Sequence, residues 1–84
     1  MGPYKLIFKN TVRKDLKRIP KNDVLKITKK ILDLSYNPHP HDCKKLTSSE
    51  AYRIRQGHYR IIYQINDQEV TVLMIKVGHR RRAY

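Results

Sequence analysis

The last third of the chain restricts the possible folds more than any other part of the sequence. Residues 51–55, 59–65 and 70–77 are rich in Tyr, Ile and Val, which favour extended strands. Two short polar stretches, residues 56–58 and 66–69, separate these runs and are typical of turns. Because antiparallel neighbours need only short connections, the three segments are predicted to form an antiparallel meander.

The residues before the meander predict one more strand and two helices. Residues 4–9 alternate with the period of two that is typical of a partly buried strand. Residues 10–19 carry apolar side chains at helical spacing and stop at Pro20, and residues 24–34 carry a second apolar stripe backed by lysines. The expected helix caps are short polar side chains: Asn10 or Thr11 for the first helix, and Asn22 and Asp23 for the second.

The resulting order of elements is β-α-α-β-β-β. Few residues separate the two helices, so they are expected to form an antiparallel hairpin on one face of a four-stranded, mostly antiparallel sheet, an α+β fold. Pro38 and Pro40 assign residues 36–42 to a loop. A chain of 84 residues is expected to form one domain, residues 1–84, with a thin core, since it hides only ~60 to 65% of its unfolded surface.

The charge of the chain limits the class of partner. Lysine and arginine number 19 against 7 acidic residues, a formal charge of +12 that attracts polyanions. No apolar run approaches the ~20 residues that a membrane span needs, so no membrane partner is expected. The N-terminus lacks the apolar segment of a signal peptide and Cys43 is the only cysteine, which favours a cytoplasmic protein. Nucleic acid is the first candidate partner.

Strand alternation predicts where the cations point. Arg53 and Arg55 share one face of their strand, and Arg60 can join them across the next strand, where residues 79–84 could close over the patch. Guanidinium groups bind phosphate in bidentate fashion, and an aromatic ring such as that of Tyr84 can stack on an unpaired base. Single-stranded RNA fits such a site, although arginines on an outer sheet face also serve simply to keep strands solvated.

Two motifs in this part of the chain resemble a known family. Gly57-x-Tyr59-Arg60-x-x-Tyr63 is followed by Val77-Gly78-His79-Arg80-Arg81, and this order is similar to that of the RelE toxins of bacterial and archaeal toxin–antitoxin pairs. The likeness extends upstream through the first strand, both helices, Asn37-Pro38 and Lys45-Leu46, so it covers nearly the whole chain. The two motifs are specific only when they occur together.

The resemblance implies a ribosome-dependent endoribonuclease that cuts messenger RNA in the ribosomal A site, without a metal or another cofactor. By family position, Arg60 would contact the scissile phosphate, Arg80 would stabilise charge, and Tyr84 would orient a nucleotide. His79 is the residue whose ordinary pKa of ~6.5 best suits proton transfer. The expected RNA-binding residues are Arg53, Arg55, Arg81 and Arg82.

The same resemblance implies a partner, and two other functions compete with the endoribonuclease. The partner is an acidic antitoxin of RelB type, partly disordered until it covers the basic surface, and the toxin alone is expected to be a monomer. The first alternative is a ParE-type protein, which shares the fold and inhibits DNA gyrase. The second is a basic RNA-binding module without chemistry.

Residues 38–43 could suggest a zinc site, but their ligands lie too close together, and a loop is the better interpretation.

Overall fold

The computed structural model describes residues 2–46 and 50–79, in which two helices and five strands occur. In chain order the elements are β1 (Lys5–Phe8), α1 (Asn10–Lys17), α2 (Lys21–Leu34), β2 (Lys44–Lys45), β3 (Ala51–Gln56), β4 (Tyr59–Asn66) and β5 (Thr71–His79). The predicted α+β class and the order of the longer elements are confirmed. The prediction of four strands is wrong, because β2 adds a short fifth strand after the proline-containing loop.

The five strands form one mixed sheet in the order β1-β5-β4-β3-β2. The meander of β3, β4 and β5 is antiparallel, as predicted, and β2 extends it on one side. On the other side β1 runs parallel to β5, which the helical hairpin makes possible by carrying the chain across the sheet. Gly57 lies in the two-residue turn between β3 and β4 with a φ of +61°, a conformation that glycine adopts without strain.

The core lies between the helical hairpin and one face of the sheet. The helices contribute an apolar stripe and the three long strands contribute alternate residues. The buried set is Val12, Ile27, Ile31, Leu34, Ile54, Ile61, Tyr63, Val72, Met74 and Val77. Tyr63 is fully buried, and its hydroxyl donates a hydrogen bond to the carbonyl oxygen of Pro38 at 2.9 Å. This bond ties the loop before β2 to the centre of the sheet.

The predicted helix caps are wrong, because both helices begin earlier than predicted, at Asn10 and Lys21. Lys9 and Pro20 occupy the N-cap positions, and neither provides a side-chain cap. Asp23, in the first turn of α2, instead lies 3.5 Å from the hydroxyl of Tyr59. Helix α1 also ends two residues before the predicted limit, at Lys17.

Helix α1 covers an edge of β5 with which none of the described strands pairs. Strand β1 ends opposite Met74, whereas β5 continues for five residues beyond that point. There the Thr11 hydroxyl donates to the carbonyl oxygen of Ile75 at 2.8 Å, and the Asp15 carboxylate accepts the Val77 N–H at 3.1 Å. The side chains of α1 therefore replace part of a strand ladder and place the end of the helix beside the last residues of β5.

Candidate nucleic-acid interface

Three arginines share the sheet face that points away from the helices, here called the outer face. In the antiparallel pair of β3 and β4, Arg55 lies directly opposite Arg60, and Arg53 lies two residues earlier on β3. The adjacent residues Ile54 and Ile61 belong to the core, so alternation turns the arginine side chains outward. The register thus brings Arg53, Arg55 and Arg60 together on one face, as the alternation in the sequence predicts.

A fourth cation joins this group from the short strand β2. Lys44 lies opposite Arg53 in the pairing of β2 with β3. Lys44, Arg53, Arg55 and Arg60 are here called the outer cationic patch. Sequence reasoning misses Lys44, because a strand of two residues after a proline-containing loop shows no periodic pattern.

A cleft of about 290 Å³ opens at the β2 side of the patch. It is lined by His41, Asp42, Lys44, Arg53 and Arg55. The Asp42 carboxylate lies 3.0 Å from the Lys30 ammonium, and the hydrogen bond between them holds the pKa of Asp42 below its ordinary value. Since this carboxylate already has a cationic partner, Lys44, Arg53 and Arg55 leave the cleft with an excess of positive charge, which suits a phosphate group.

The Arg60 side chain is more buried than that of Arg55, its partner on β3. Arg55 is exposed, whereas Arg60 is half-buried and its Nε atom is buried. Ile62, which follows Arg60 by two residues on the same face, is only 7% exposed. Apolar surroundings lower the local dielectric constant, so a guanidinium group placed there attracts an anion more strongly than one in bulk water.

The opposite end of the outer face is acidic. A groove of about 600 Å³ lies there, and its lining includes the apolar residues Ile7 and Leu73 with the carboxylates of Glu50, Asp67 and Glu69. These are three of the seven acidic residues in the whole chain. Glu50 lies 3.8 Å from the Lys45 ammonium, so the acidic character of this end comes mainly from Asp67 and Glu69. This end therefore attracts a polyanion less than the outer cationic patch does.

His79 lies on the helix-facing side of the sheet. In the pairing of β4 with β5, His79 is opposite Tyr59 and Gly78 is opposite Arg60. The Tyr59 ring packs against the core and its hydroxyl reaches Asp23 of α2, so this pair of positions faces the helices. The His79 ring meets the Tyr59 ring edge-on, with centroids 6.0 Å apart. The structure therefore does not bring the His79 imidazole to the outer cationic patch.

The other predicted site residues follow β5 in the sequence. Arg80, Arg81, Arg82 and Tyr84 lie outside the described residues. Strand β5 ends at His79, one residue after the register partner of Arg60. The roles predicted for the four residues after His79 therefore stay predictions.

Three general properties bear on possible ligands. Neither of the described helices is long and apolar enough to cross a membrane. Within residues 2–46 and 50–79, no group of three or more His, Cys, Asp or Glu side chains could hold a metal ion. Cys43 is a half-buried free thiol.

Comparison with known proteins gives the same family from sequence and from structure. A family model described as the ParE toxin of a type II toxin–antitoxin system, parDE, matches residues 6–84. Toxin RelG of Mycobacterium tuberculosis is 30% identical over 84 residues, covering 98% of this chain and 97% of that protein. The mRNA interferase toxin RelE of Escherichia coli K12 is 28% identical over 82 residues, 95% of this chain and 86% of that protein. In the crystal structure of the archaeal RelE–RelB complex from Pyrococcus horikoshii, a chain with 30% identity matches with a TM-score of 0.84, covering 96% of this chain and 99% of that one.

A helical hairpin on a mixed sheet with arginines on its outer face thus defines a small toxin of the type II toxin–antitoxin class. The chain belongs to the RelE and ParE toxin family, and it is of RelE type. The resemblance of Gly57-x-Tyr59-Arg60-x-x-Tyr63 and the motif that follows it to RelE toxins is confirmed.

Proposed function

We propose that this toxin is a ribosome-dependent endoribonuclease that cleaves messenger RNA in the ribosomal A site and so inhibits translation. The observation that carries the proposal is the pairing of Arg55 with Arg60 across β3 and β4, on a face where Arg60 is half-buried. A phosphate at this place would meet two guanidinium groups from adjacent strands. Related proteins of Escherichia coli and Shigella flexneri are named mRNA interferases, which supports the same chemistry here.

The proposed reaction is a metal-independent transesterification. The 2′-oxygen of a ribose attacks the adjacent phosphorus, the bond from phosphorus to the 5′-oxygen breaks, and a 2′,3′-cyclic phosphate and a 5′-hydroxyl form. The proton of the 2′-hydroxyl leaves with a base, and the departing 5′-oxygen gains a proton. Positioning these atoms in line and stabilising the additional negative charge of the phosphorane account for most of the rate enhancement.

Arginines suit charge stabilisation but not proton transfer. A guanidinium group stays protonated at every working pH, so Arg60 and Arg55 can bind the phosphorane and cannot act as bases. We assign Arg60 to the scissile phosphate and Arg53 and Arg55 to the adjacent RNA backbone. By the resemblance to RelE, Arg80 stabilises charge on the phosphate or the leaving group, Tyr84 orients a nucleotide, and Arg81 and Arg82 add RNA contacts.

His79 is not placed to transfer a proton at the outer cationic patch. Its ring lies beside Tyr59 on the helix-facing side, whereas Arg60 faces outward from the same part of the sheet. A general acid or base has to reach the proton that it transfers. We therefore do not assign the proton transfer to His79.

The proposed regulator is an acidic antitoxin of RelB type. Related toxins crystallise as RelE–RelB complexes, and a chain with a charge of +12 offers a broad surface to an acidic, partly disordered segment. Burial of apolar surface in the complex would add stability that a core of this size lacks. The toxin alone is proposed to be a monomer in the cytoplasm, where it meets translating ribosomes.

The deciding experiment maps the 5′ ends of messenger RNA in a purified translation reaction, with and without ribosomes. The wild-type protein is expected to cut inside the A-site codon only when ribosomes are present. Arg60→Ala is expected to lower the cleavage rate by ~10²- to 10³-fold, or ~3 to 4 kcal/mol, by analogy with the loss of one oxyanion donor. Arg13→Ala, which removes an equal charge from the exposed surface of α1, should retain the wild-type rate. A loss below about threefold for Arg60→Ala would contradict its assignment.

A second function has one observation in its favour. The family model that matches residues 6–84 is described as the ParE toxin of a type II toxin–antitoxin system, and ParE-type proteins inhibit DNA gyrase. A supercoiling assay with purified gyrase separates the two functions. Intact messenger RNA together with inhibited supercoiling would replace the nuclease proposal, and intact messenger RNA with neither effect would leave a non-catalytic RNA-binding module.

A further inference from the structure

A second pocket lies around the edge of β5 from the outer cationic patch. It has a volume of about 350 Å³ and is here called the helix-side pocket. Its lining comes from the end of α1 and from the adjoining strand ends: Asp15, Arg18, Ile19, Tyr59, Lys76, Val77, Gly78 and His79. Nothing in the proposed cleavage reaction uses these side chains. The pocket exists because α1 runs along the edge of β5 beyond the end of β1 and brings Arg18 close to the end of β5.

The walls of the helix-side pocket combine flat rings with a cation. The rings of Tyr59 and His79 meet edge-on at 6.0 Å, and the His58 ring stacks on the His79 ring at 6.0 Å with an interplanar angle of 16°. Arg18 is exposed at the rim. Unpaired RNA bases bind to proteins by stacking on such rings and on guanidinium planes, while the cation attracts the adjoining phosphate.

The carboxylates near the pocket are already engaged. Asp15 accepts the Val77 N–H at 3.1 Å and lies 3.8 Å from the Lys76 ammonium. Asp23 lies 3.5 Å from the Tyr59 hydroxyl. A nucleotide offers a flat base to the rings and one phosphate to Arg18, whereas the carboxylate side chains of an acidic peptide leave the rings without a partner. The pocket therefore favours a nucleotide as the ligand.

The helix-side pocket and the outer cationic patch meet at Gly78. This residue lies opposite Arg60 in the sheet and also lines the pocket. Since glycine has no side chain, a ligand backbone can pass close to the edge of β5 at this point. One strand of RNA could therefore occupy both sites, with its scissile phosphate at Arg60 and a neighbouring base beyond the strand edge.

We infer that the helix-side pocket is a second RNA subsite, which holds one unpaired base next to the scissile phosphate. His79 and Tyr59 bind the base, and Arg18 binds the phosphate attached to it. The inference rests on the proposed function, since it places the substrate RNA of that reaction. It assigns His79 to substrate binding rather than to proton transfer.

The test uses the intact protein and an uncleavable probe. The probe is a short single-stranded RNA with 2′-O-methyl groups on every ribose, and a second probe has the same backbone with its bases removed. Binding is measured by fluorescence anisotropy at physiological salt. Arg18→Ala is expected to weaken binding of the first probe about fivefold or more, and the matched variant Arg13→Ala less than about twofold. His79→Ala should weaken binding of the probe with bases about fivefold or more and leave the abasic probe unchanged.

Equal losses for Arg18→Ala and Arg13→Ala would overturn the subsite, because only net charge would then matter. An equal loss of both probes in His79→Ala would overturn the role of the base. A loss in Arg18→Ala as large for a polyglutamate peptide as for RNA would overturn the choice of ligand. A protein that binds the RNA probe through Arg18 but cuts no messenger RNA on ribosomes retains the subsite and refutes the nuclease. If the wild-type protein cuts messenger RNA on ribosomes but Arg18→Ala and Arg13→Ala bind the RNA probe equally well, the nuclease is retained and the subsite is refuted.

Discussion

Replacing Tyr63 with phenylalanine tests how the loop before β2 is fastened to the sheet. Tyr63 is fully buried, and its hydroxyl donates to the carbonyl oxygen of the buried residue Pro38 at 2.9 Å. Phenylalanine fills the same space but cannot donate. The variant therefore removes one hydrogen bond and leaves a buried carbonyl without that donor.

The cost follows from the energy of a buried hydrogen bond. A typical bond contributes ~0.5 to 1.5 kcal/mol, and an unsatisfied buried group adds to the loss, so Tyr63→Phe should lower the free energy of unfolding by about 1 to 2 kcal/mol at pH 7. For a domain of this size, each kcal/mol corresponds to about 4 to 8 °C in Tm. Tyr36→Phe is the matched control, since Tyr36 is 63% exposed.

The pH dependence of the free energy of unfolding gives a second test of the buried Tyr63 hydroxyl. Burial, with a smaller contribution from Cys43, raises the pKa of Tyr63 far above its ordinary value of 10.0. The unfolded chain ionises at the ordinary value, so stability from the neutral buried phenol is complete below pH ~10 and falls as the pH rises further. By pH ~11 the wild-type protein should lose about 1.4 kcal/mol that Tyr63→Phe does not lose.

Urea unfolding followed by circular dichroism measures both effects. The difference between the wild-type protein and Tyr63→Phe should be about 1 to 2 kcal/mol at pH 7 and should shrink by most of that amount near pH ~11. Tyr36→Phe should follow the wild-type protein at both pH values. Stability of Tyr63→Phe equal to wild type at pH 7, or a difference independent of pH, would refute the reasoning.

Three further predictions concern stability and are checked by the same unfolding assay. Val70 has a φ of +53°, which strains a β-branched residue, so Val70→Asn should stabilise the protein by about 1 kcal/mol, and a loss would contradict the strain. Asp15→Ala should cost about 2 kcal/mol because the Val77 N–H loses its acceptor, and Asp15→Asn, which keeps an amide oxygen, about half as much. Asp42→Asn should cost about 0.5 kcal/mol at pH 7 through the partly exposed Lys30 pair. Because the pKa of Asp42 is lowered on folding, that difference should vanish as the pH falls below ~3.9.

The sequence predicts the longer elements because their apolar spacing is a local property. Alternation at Ile54 and Ile61 fixes which side of β3 and β4 is buried, and hence that the arginines between them face outward. The same reasoning cannot detect β2, whose two lysines form a strand only because Lys44 and Lys45 lie beside Arg53 and Tyr52 in the folded chain. Their pairing is a long-range contact with no periodic signal.

The side of the sheet that His79 occupies was also beyond local reasoning. The register between β4 and β5 shifts after Ile62, so that Ile62 pairs with Lys76 and Tyr63 pairs with Met74. Ile75 is the extra residue, and such a bulge reverses which side the following residues face. The facing of His79 thus depends on one irregularity that no spacing in the sequence reveals.

The bulge at Ile75 separates the outer cationic patch from the helix-side pocket at the edge of β5. Before the bulge, β5 pairs with β1, and after it α1 takes over the edge through Thr11 and Asp15. As a result, Arg60 stays on the outer face while His79 turns toward Arg18 on the other side. Asp15 accepts the Val77 N–H and so holds the β5 edge on which both sites depend. Asp15→Ala should therefore weaken RNA binding at the two sites together, which fluorescence anisotropy with the same RNA probe measures.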